Sequence, residues 1–377
     1  MDEGLPLLLR HYAALSPTTP ALLPSPPFPS SAELSRAHTQ QWLVDHLLSD
    51  DDGQGEDAEG ARAWKKVFWR RVVKSLEEGF EERRLAGEGE AVDDEEVHPD
   101  ILEAMVDFLS SSSSAASDGA PGVSTRRYSW GALRTSPSEW SSVLTREEGR
   151  MISGGTTGLR TWQACIALSN HLIARPSLLS GPSNILELGA GVGLLSLVSA
   201  QLLAGQPASE ERRRRIVATD VDERVLGMLE GNIALNNLTS TASAAKLDWE
   251  LASDPSAGVA SLEQWECDIF GGGERAEVIL GADIVYDPSL ASHLASTLAF
   301  LLRPDPRAAT PPAHALIAGT VRNESTWELF LSECRARQLQ IDPLTLKVPE
   351  GESGIVGAEG WEGEGEVRLV RITAIEA

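Results

Sequence analysis

A glycine turn carrying Gly189, Gly191 and Gly193 separates an apolar run, Ile185 to Leu188, from a second apolar run that continues to Leu203. Strand, glycine turn and helix in that order make the first unit of a doubly wound nucleotide-binding sheet. Without a Cβ, glycine lets backbone approach a ligand closely. The free N–H groups of the following helix suit an anion. Glu187 stands just before the turn. The next apolar run ends in Asp220, where a carboxylate can accept hydrogen bonds from ribose hydroxyls. An acid there can also cap a helix, and Asp222 could serve equally. Trp249, in KLDWE, offers an indole face for stacking on a base or an ordinary core side chain. Asp248 beside it could bond an amino group or cap a turn. GADIVYD places Asp283 and Tyr286 three positions apart. A carboxylate and a phenol so placed can hold an incoming ammonium and, once it has lost its proton, orient the amine lone pair, or they can shape a turn and pack.

These residues need a sheet whose carboxyl edge gathers them, because ligands of open α/β sheets bind there. The patterning supplies seven strands. The run ending at Leu188 is the first, RRIVATD the second, AAKLDWEL the third, AEVILGADIVYD the fourth and HALIAGTVRN the fifth. QIDPLTLKV and EVRLVRITAI alternate apolar and polar residues and read as a hairpin across a glycine-acid loop. Helices are predicted from about Thr161 to Ala174, over DERVLGMLEGNIALNNL and over STWELFLSECRARQL. RRYSWGALRTSPSEWSSV mixes aromatic and turn residues and is expected to dock on this domain.

The first 123 residues differ in kind. MDEGLPLLLRHYAAL carries acids where a secretion signal carries bases, and predicts an amphipathic helix. Ser16 to Ser31 is proline-rich and predicts extended chain. Ser30 or Ser31 can cap a helix with Leu34, Trp42, Leu43 and Leu47. The acidic stretch Ser49 to Gly60 and the run GEGEAVDDEEV predict disorder, and Ser110 to Gly122 a flexible linker. Trp64, Phe68, Val72, Leu76 and Phe80 recur every four residues, with Val67 and Val73 flanking, as one face of a helix. A shorter helix carries Leu102, Met105, Val106 and Leu109. Residues 1–123 thus read as an all-helical region, and 124–377 as a catalytic domain. The helices either cap that domain or recruit its substrate.

The formal charge of −24 lacks the basic stripe that nucleic acid requires. Three cysteines, Cys165, Cys267 and Cys334, lie in no metal spacing and read as reduced, buried thiols of a cytoplasmic or nuclear protein. No run of residues is long and apolar enough for a membrane helix.

A dinucleotide loop carries a small residue at its third position, which here is Leu194. E-L-G-A-G-V-G instead resembles motif I of the S-adenosylmethionine-dependent methyltransferases. With GTTGLRTW, ATDVDE, NNL, KLDW and GADIVYD in this order, the chain resembles the seven-strand protein-lysine methyltransferases that share a D-x-x-Y motif. MISGGTTGLRTWQACIAL and the helical N-terminal half are most similar to the elongation factor 2 lysine methyltransferase branch. The resemblance is strong from Met151 to Val321 and weak before it. It implies a class I, Rossmann-like α/β fold and S-adenosylmethionine as cofactor. It implies cofactor contacts from Trp162, Glu187, Gly189, Ala190, Gly191, Asp220, Trp249 and Ala282, and a substrate-facing role for Asp283 and Tyr286. A monomer acting on a protein substrate, elongation factor 2, in the cytoplasm is expected, without nucleic-acid or membrane partners. Gln163 stands where an acid often follows the family tryptophan, and Val192 replaces a common threonine. Other readings are methylation of a different protein lysine or a small amine, or a non-catalytic binding protein that keeps the fold. A nucleic-acid methyltransferase is disfavoured, because an N-P-P-Y-type motif is absent.

Overall fold

The computed structural model describes residues 4–16, 29–48, 58–88, 95–110, 122–148, 156–181, 184–205, 214–253, 258–270, 274–304, 313–351, 353–357 and 365–375. Its first helix, α1 (Gly4–Ala13), is buried on two sides. Leu5, Leu8, Leu9 and Tyr12 pack among the N-terminal helices. Leu7, and Ala14 just beyond the helix, pack into the core formed by the sheet and its helices. The expected one-sided amphipathic helix is therefore a shared element of two cores. α2 (Ser31–Leu34) is capped by Ser30, whose Oγ accepts the Glu33 N–H at 3.2 Å. α3 (Ala37–Leu43) continues into a wider helical turn over Val44–Leu48. α4 (Ala58–Leu85) buries Phe68, Val72, Leu76 and Phe80 as its four-residue spacing requires. Trp69 and Val73 are buried beside them, whereas Val67 is 47% exposed. α2 crosses α4 so closely that a Cβ on Gly79 would lie 1.8 Å from the Ser31 carbonyl oxygen.

Two expectations in this region are corrected. α4 begins at Ala58, inside the stretch expected to be disordered. α5 (Pro99–Ser110) buries Ile101 and leaves Leu102 and Val106 exposed, because Met105 and Phe108 supply the inward face. Most of the proline-rich segment, the rest of the first acidic stretch, much of the second and nearly all of the serine linker lie outside the described residues.

The α/β part of the chain opens with an antiparallel hairpin, β1 (Val123–Trp130) and β2 (Ser141–Glu148), in a segment from which only docking is predicted. Seven further strands form one sheet: β3 (Asn184–Leu188), β4 (Arg215–Asp220), β5 (Ala242–Lys246), β6 (Val278–Ala282), β7 (His314–Val321), β8 (Leu339–Leu344) and β9 (Glu366–Ala374). Their order is β5-β4-β3-β6-β7-β9-β8. β5 through β7 run parallel, and β9 pairs antiparallel with both β7 and β8. This is the seven-strand, Rossmann-like sheet expected, with its terminal hairpin in place.

α6 (Gln163–Ala174) leads into β3, and α7 (Leu194–Ala204), α8 (Glu223–Leu235), α9 (Gly258–Phe270), α10 (Ala291–Leu301) and α11 (Glu324–Ala336) follow between the later strands. The strand pattern leaves α9 and α10 unassigned, yet parallel neighbours need such crossovers. Every residue of β3 is buried, because helices cover both faces of the sheet. Among the described residues, no helix is long and apolar enough to cross a membrane.

Candidate active site

β3 has β4 on one side and β6 on the other. Their outgoing loops part at the carboxyl edge and open a crevice there. Gly189 (φ +61) and Gly191 (φ +55) form the floor in left-handed backbone. A Cβ on Gly189 would lie 2.7 Å from Ile284 Cγ2. One on Gly191 would lie 2.9 Å from the Gly158 carbonyl oxygen. Both positions therefore need glycine for conformation and for close approach. Ala190 between them is buried and donates its N–H to the Thr219 carbonyl at 2.8 Å.

Asp220, the last residue of β4, faces this turn. Its Oδ2 accepts the Gly191 N–H at 3.2 Å, and its Oδ1 accepts the N–H groups of Val221 at 2.8 Å and Asp222 at 3.1 Å. Asp222, not Asp220, caps α8, accepting from Arg224 and Val225. A carboxylate offers about four acceptor positions, so Asp220 has room for a further donor. Burial pushes its pKa up, against the pull of the three backbone N–H groups. Glu187 is 1% exposed and turned inward, where its carboxyl group accepts the Ser196 hydroxyl of α7. Burial raises its pKa to about 8, and Asp220 adds to the rise. Glu187 thus supports the glycine turn from beneath rather than lining the crevice.

Trp249 begins a short helical turn after β5. Its ring would lie 3.4 Å from a Cβ on Gly189, so the indole flanks the crevice. Asp248 Oδ1 accepts the Glu250 N–H at 2.9 Å, which is the turn-capping alternative. Ala282 ends β6 at the crevice wall, partly exposed.

Asp283 and Tyr286 part company. Asp283 has φ +55, unusual for a residue with a Cβ. Its side chain, 4% exposed, turns under the loop. There Oδ2 accepts the Ala164 N–H at 2.8 Å and Oδ1 the Thr320 N–H at 2.7 Å. The Thr320 hydroxyl adds a bond at 3.2 Å, and Arg322 Nη1 lies 3.7 Å away. The expected direct hold on an ammonium is not what this geometry gives Asp283; it ties the loop to α6 and β7. Tyr286 is 56% exposed and hydrogen-bonded to Thr157. Burial of its hydroxyl end, then the nearby Asp220 and Asp287 charges, raise its pKa, so the phenol keeps its proton at neutral pH.

Trp162 precedes α6 and donates its indole N–H to the Thr157 carbonyl at 3.0 Å. The guanidiniums of Arg160 and Arg322 lie 5.2 and 5.1 Å from the ring centre. Gly189, Gly191, Asp220, Trp249, Tyr286 and Trp162 therefore surround one crevice. Sequence reasoning did not single out Thr157 and Gly158, which tie the 156–162 segment to Tyr286 and to Gly191. The GTTG run containing them was the available signal. Arg322 gave no signal beyond being a cation after the fifth strand. Cys165 and Cys334 are buried thiols, as expected, but Cys267 is exposed.

Residues 146–330 match the family model described as lysine methyltransferase. That stretch runs from the end of β2 into α11 and contains every crevice residue named above. The protein-lysine N-methyltransferase EFM3 of Chaetomium thermophilum is 28% identical over 284 residues, covering 74% of this chain and 75% of that one. The human protein-lysine N-methyltransferase EEF2KMT is 33% identical over 203 residues, covering 51% of this chain and 54% of that one. Mouse methyltransferase-like protein 22 is 31% identical over 153 residues, 38% of this chain and 35% of that one. Over this stretch the chain is thus similar to protein-lysine methyltransferases.

Proposed function

We propose that the crevice between β3 and β6 holds S-adenosylmethionine and that the chain methylates a lysine of elongation factor 2. The observation that carries the cofactor site is the Asp220 carboxylate bonded to the Gly191 N–H at 3.2 Å. It sets an acceptor with spare capacity beside bare glycine backbone. Ribose hydroxyls suit that acceptor, and the Trp249 ring suits an adenine face. Gly189, Ala190, Gly191, Trp162 and Ala282 line the remainder, with Glu187 holding the turn from below. When bound, S-adenosylmethionine supplies a methyl group already activated on a sulfonium.

The chain's own task is alignment and a dry approach for a neutral amine. A free lysine has a pKa of about 10.4 and must lose its proton to solvent before it enters and attacks. Tyr286, a protonated phenol at the mouth, orients the incoming nitrogen. Asp283 is a positioning residue: it fixes the loop that carries Tyr286. Elongation factor 2 is supported by the branch resemblance at GTTGLRTWQACIAL and by the human relative. The helical region, the methyltransferase domain from about residue 124, a monomeric state and a cytoplasmic setting complete the reading.

Incubation with tritiated S-adenosylmethionine and a eukaryotic lysate lacking the enzyme tests it. One labelled band at the size of elongation factor 2 is expected. Label on a different protein would overturn the substrate, and label on small amines alone would overturn the protein-directed reading.

A further inference from the structure

A second concavity lies away from the crevice, at the far end of α6. Its volume is about 910 Å³, between the β1–β2 turn, the end of α6 and the loop after β8. Leu133, Ile173 and the 66% exposed Val348 give it an apolar lining. Arg134, Arg175 and Lys347 stand around it, against one acid, Glu350, among the described residues. That balance is inverted relative to a chain of net charge −24. Arg175 and Lys347 have no ion-pair partner among the described residues.

The walls are fixed by hydrogen bonds. The buried His171 accepts the Lys347 N–H at 3.0 Å. Gly131 donates to the Ser353 carbonyl at 2.8 Å. Arg10 of α1, 1% exposed, donates to the Gly131 carbonyl at 2.6 Å and the Gly354 carbonyl at 3.3 Å. A preformed concave surface loses little order on binding.

We propose that this cleft binds an acidic segment with an apolar side chain, carried by the protein substrate. The proposal rests on the protein-lysine methyltransferase reading above. Cations around an apolar floor complement carboxylates flanking an apolar anchor. Ala164, which touches the Asp283 loop, and Arg175, at the cleft, are separated by ~17 Å along α6 at 1.5 Å per residue. Extended chain covers that in about five residues. The acidic segment therefore sits at least about five residues from the methylated lysine in extended chain, or roughly 17 Å from it on a folded substrate.

Two readouts on the full chain test this. The first is fluorescence anisotropy with a dye-labelled peptide alternating glutamate and leucine. The wild type should bind it, and added salt should weaken the binding. The double variant Arg175→Glu, Lys347→Glu should bind at least tenfold more weakly. The second readout is steady-state transfer to elongation factor 2. The double variant should raise KM about tenfold while kcat and S-adenosylhomocysteine affinity stay unchanged. No peptide binding by the wild type, or equal binding by the variant, overturns the cleft. Failure of the wild type to methylate elongation factor 2 overturns the proposed substrate alone, because the peptide measurement still decides the cleft. An unchanged KM on a substrate the wild type does methylate overturns the substrate-docking role.

Discussion

The carboxylate of Asp283 accepts the backbone N–H of Ala164 at 2.8 Å, joining the loop after β6 to the first turn of α6. The same side chain accepts from Thr320 on β7. One buried acid thus sets the spacing of three elements around the crevice. Tyr286, three positions on, is left exposed at the mouth.

This division of labour separates two substitutions. Asp283→Ala leaves two backbone donors without their acceptor, and each buried loss costs about 1–3 kcal/mol. The variant should unfold at clearly lower denaturant and lose transfer as well. Tyr286→Phe should keep the wild-type melting curve and S-adenosylhomocysteine affinity while transfer falls on the order of 10²-fold, the effect of misalignment. Denaturation, calorimetry and a transfer assay on both proteins check this. Equal loss of stability in both variants would place Tyr286 in the fold rather than the site.

Asp220 should act on the cofactor. Removing the side chain in Asp220→Ala should weaken S-adenosylhomocysteine by about 1.5–3 kcal/mol, the range for a charge-assisted hydrogen bond. Calorimetry gives the affinity directly. S-adenosylhomocysteine should also raise the wild-type melting temperature by mass action, whereas NAD should not.

Glu187 predicts a pH signature. Its folded pKa, about 8, lies above the ordinary value of 4.5. Between those values the folded state holds the proton and the unfolded chain does not. Stability contributed by this group therefore falls as pH rises through that window and is level above it. Glu187→Gln keeps a partner for the Ser196 hydroxyl and cannot ionise. The difference in unfolding free energy, variant minus wild type, should grow from pH 4.5 to 8. Chemical denaturation across that range measures it, and a flat difference would mean that Glu187 is ionised in the folded protein.

The glycine turn, Asp220 and the seven strands were readable in the sequence because period-two and period-3.6 patterns report burial directly. The inward turn of Asp283 was not, since it depends on a positive φ and on donors from Ala164 and Thr320, remote in sequence. The β1–β2 hairpin was missed for a related reason. Its partners outside the pair are distant side chains, such as Asn232 and Asn236 of α8, which bond the backbone of Arg146 and Leu144. The exposed face of α5 was misjudged because Ile101 and Phe108 compete with Leu102 and Val106 for the same core, and periodicity cannot rank the two faces.

The N-terminal helices should not be removable without cost. Leu7 and Ala14 complete the core of the seven-strand sheet, and Arg10 holds the Gly131 and Gly354 carbonyls. Each large apolar side chain so buried is worth about 1.5–3 kcal/mol. A protein starting at Thr125 should be poorly soluble or melt well below the full chain. A soluble, equally stable truncation with full activity would contradict both the covering and the recruiting roles.

The proposed reaction is protein-lysine methyl transfer to elongation factor 2 from the β3–β6 crevice. Intact-mass and peptide mass spectrometry of purified, unmethylated elongation factor 2 tests it most directly, after incubation with S-adenosylmethionine and either the wild type or Tyr286→Phe. A gain of one or more methyl groups on a single lysine is expected with the wild type, and little with the variant. Unchanged mass with the wild type, or equal methylation by both proteins, would contradict it.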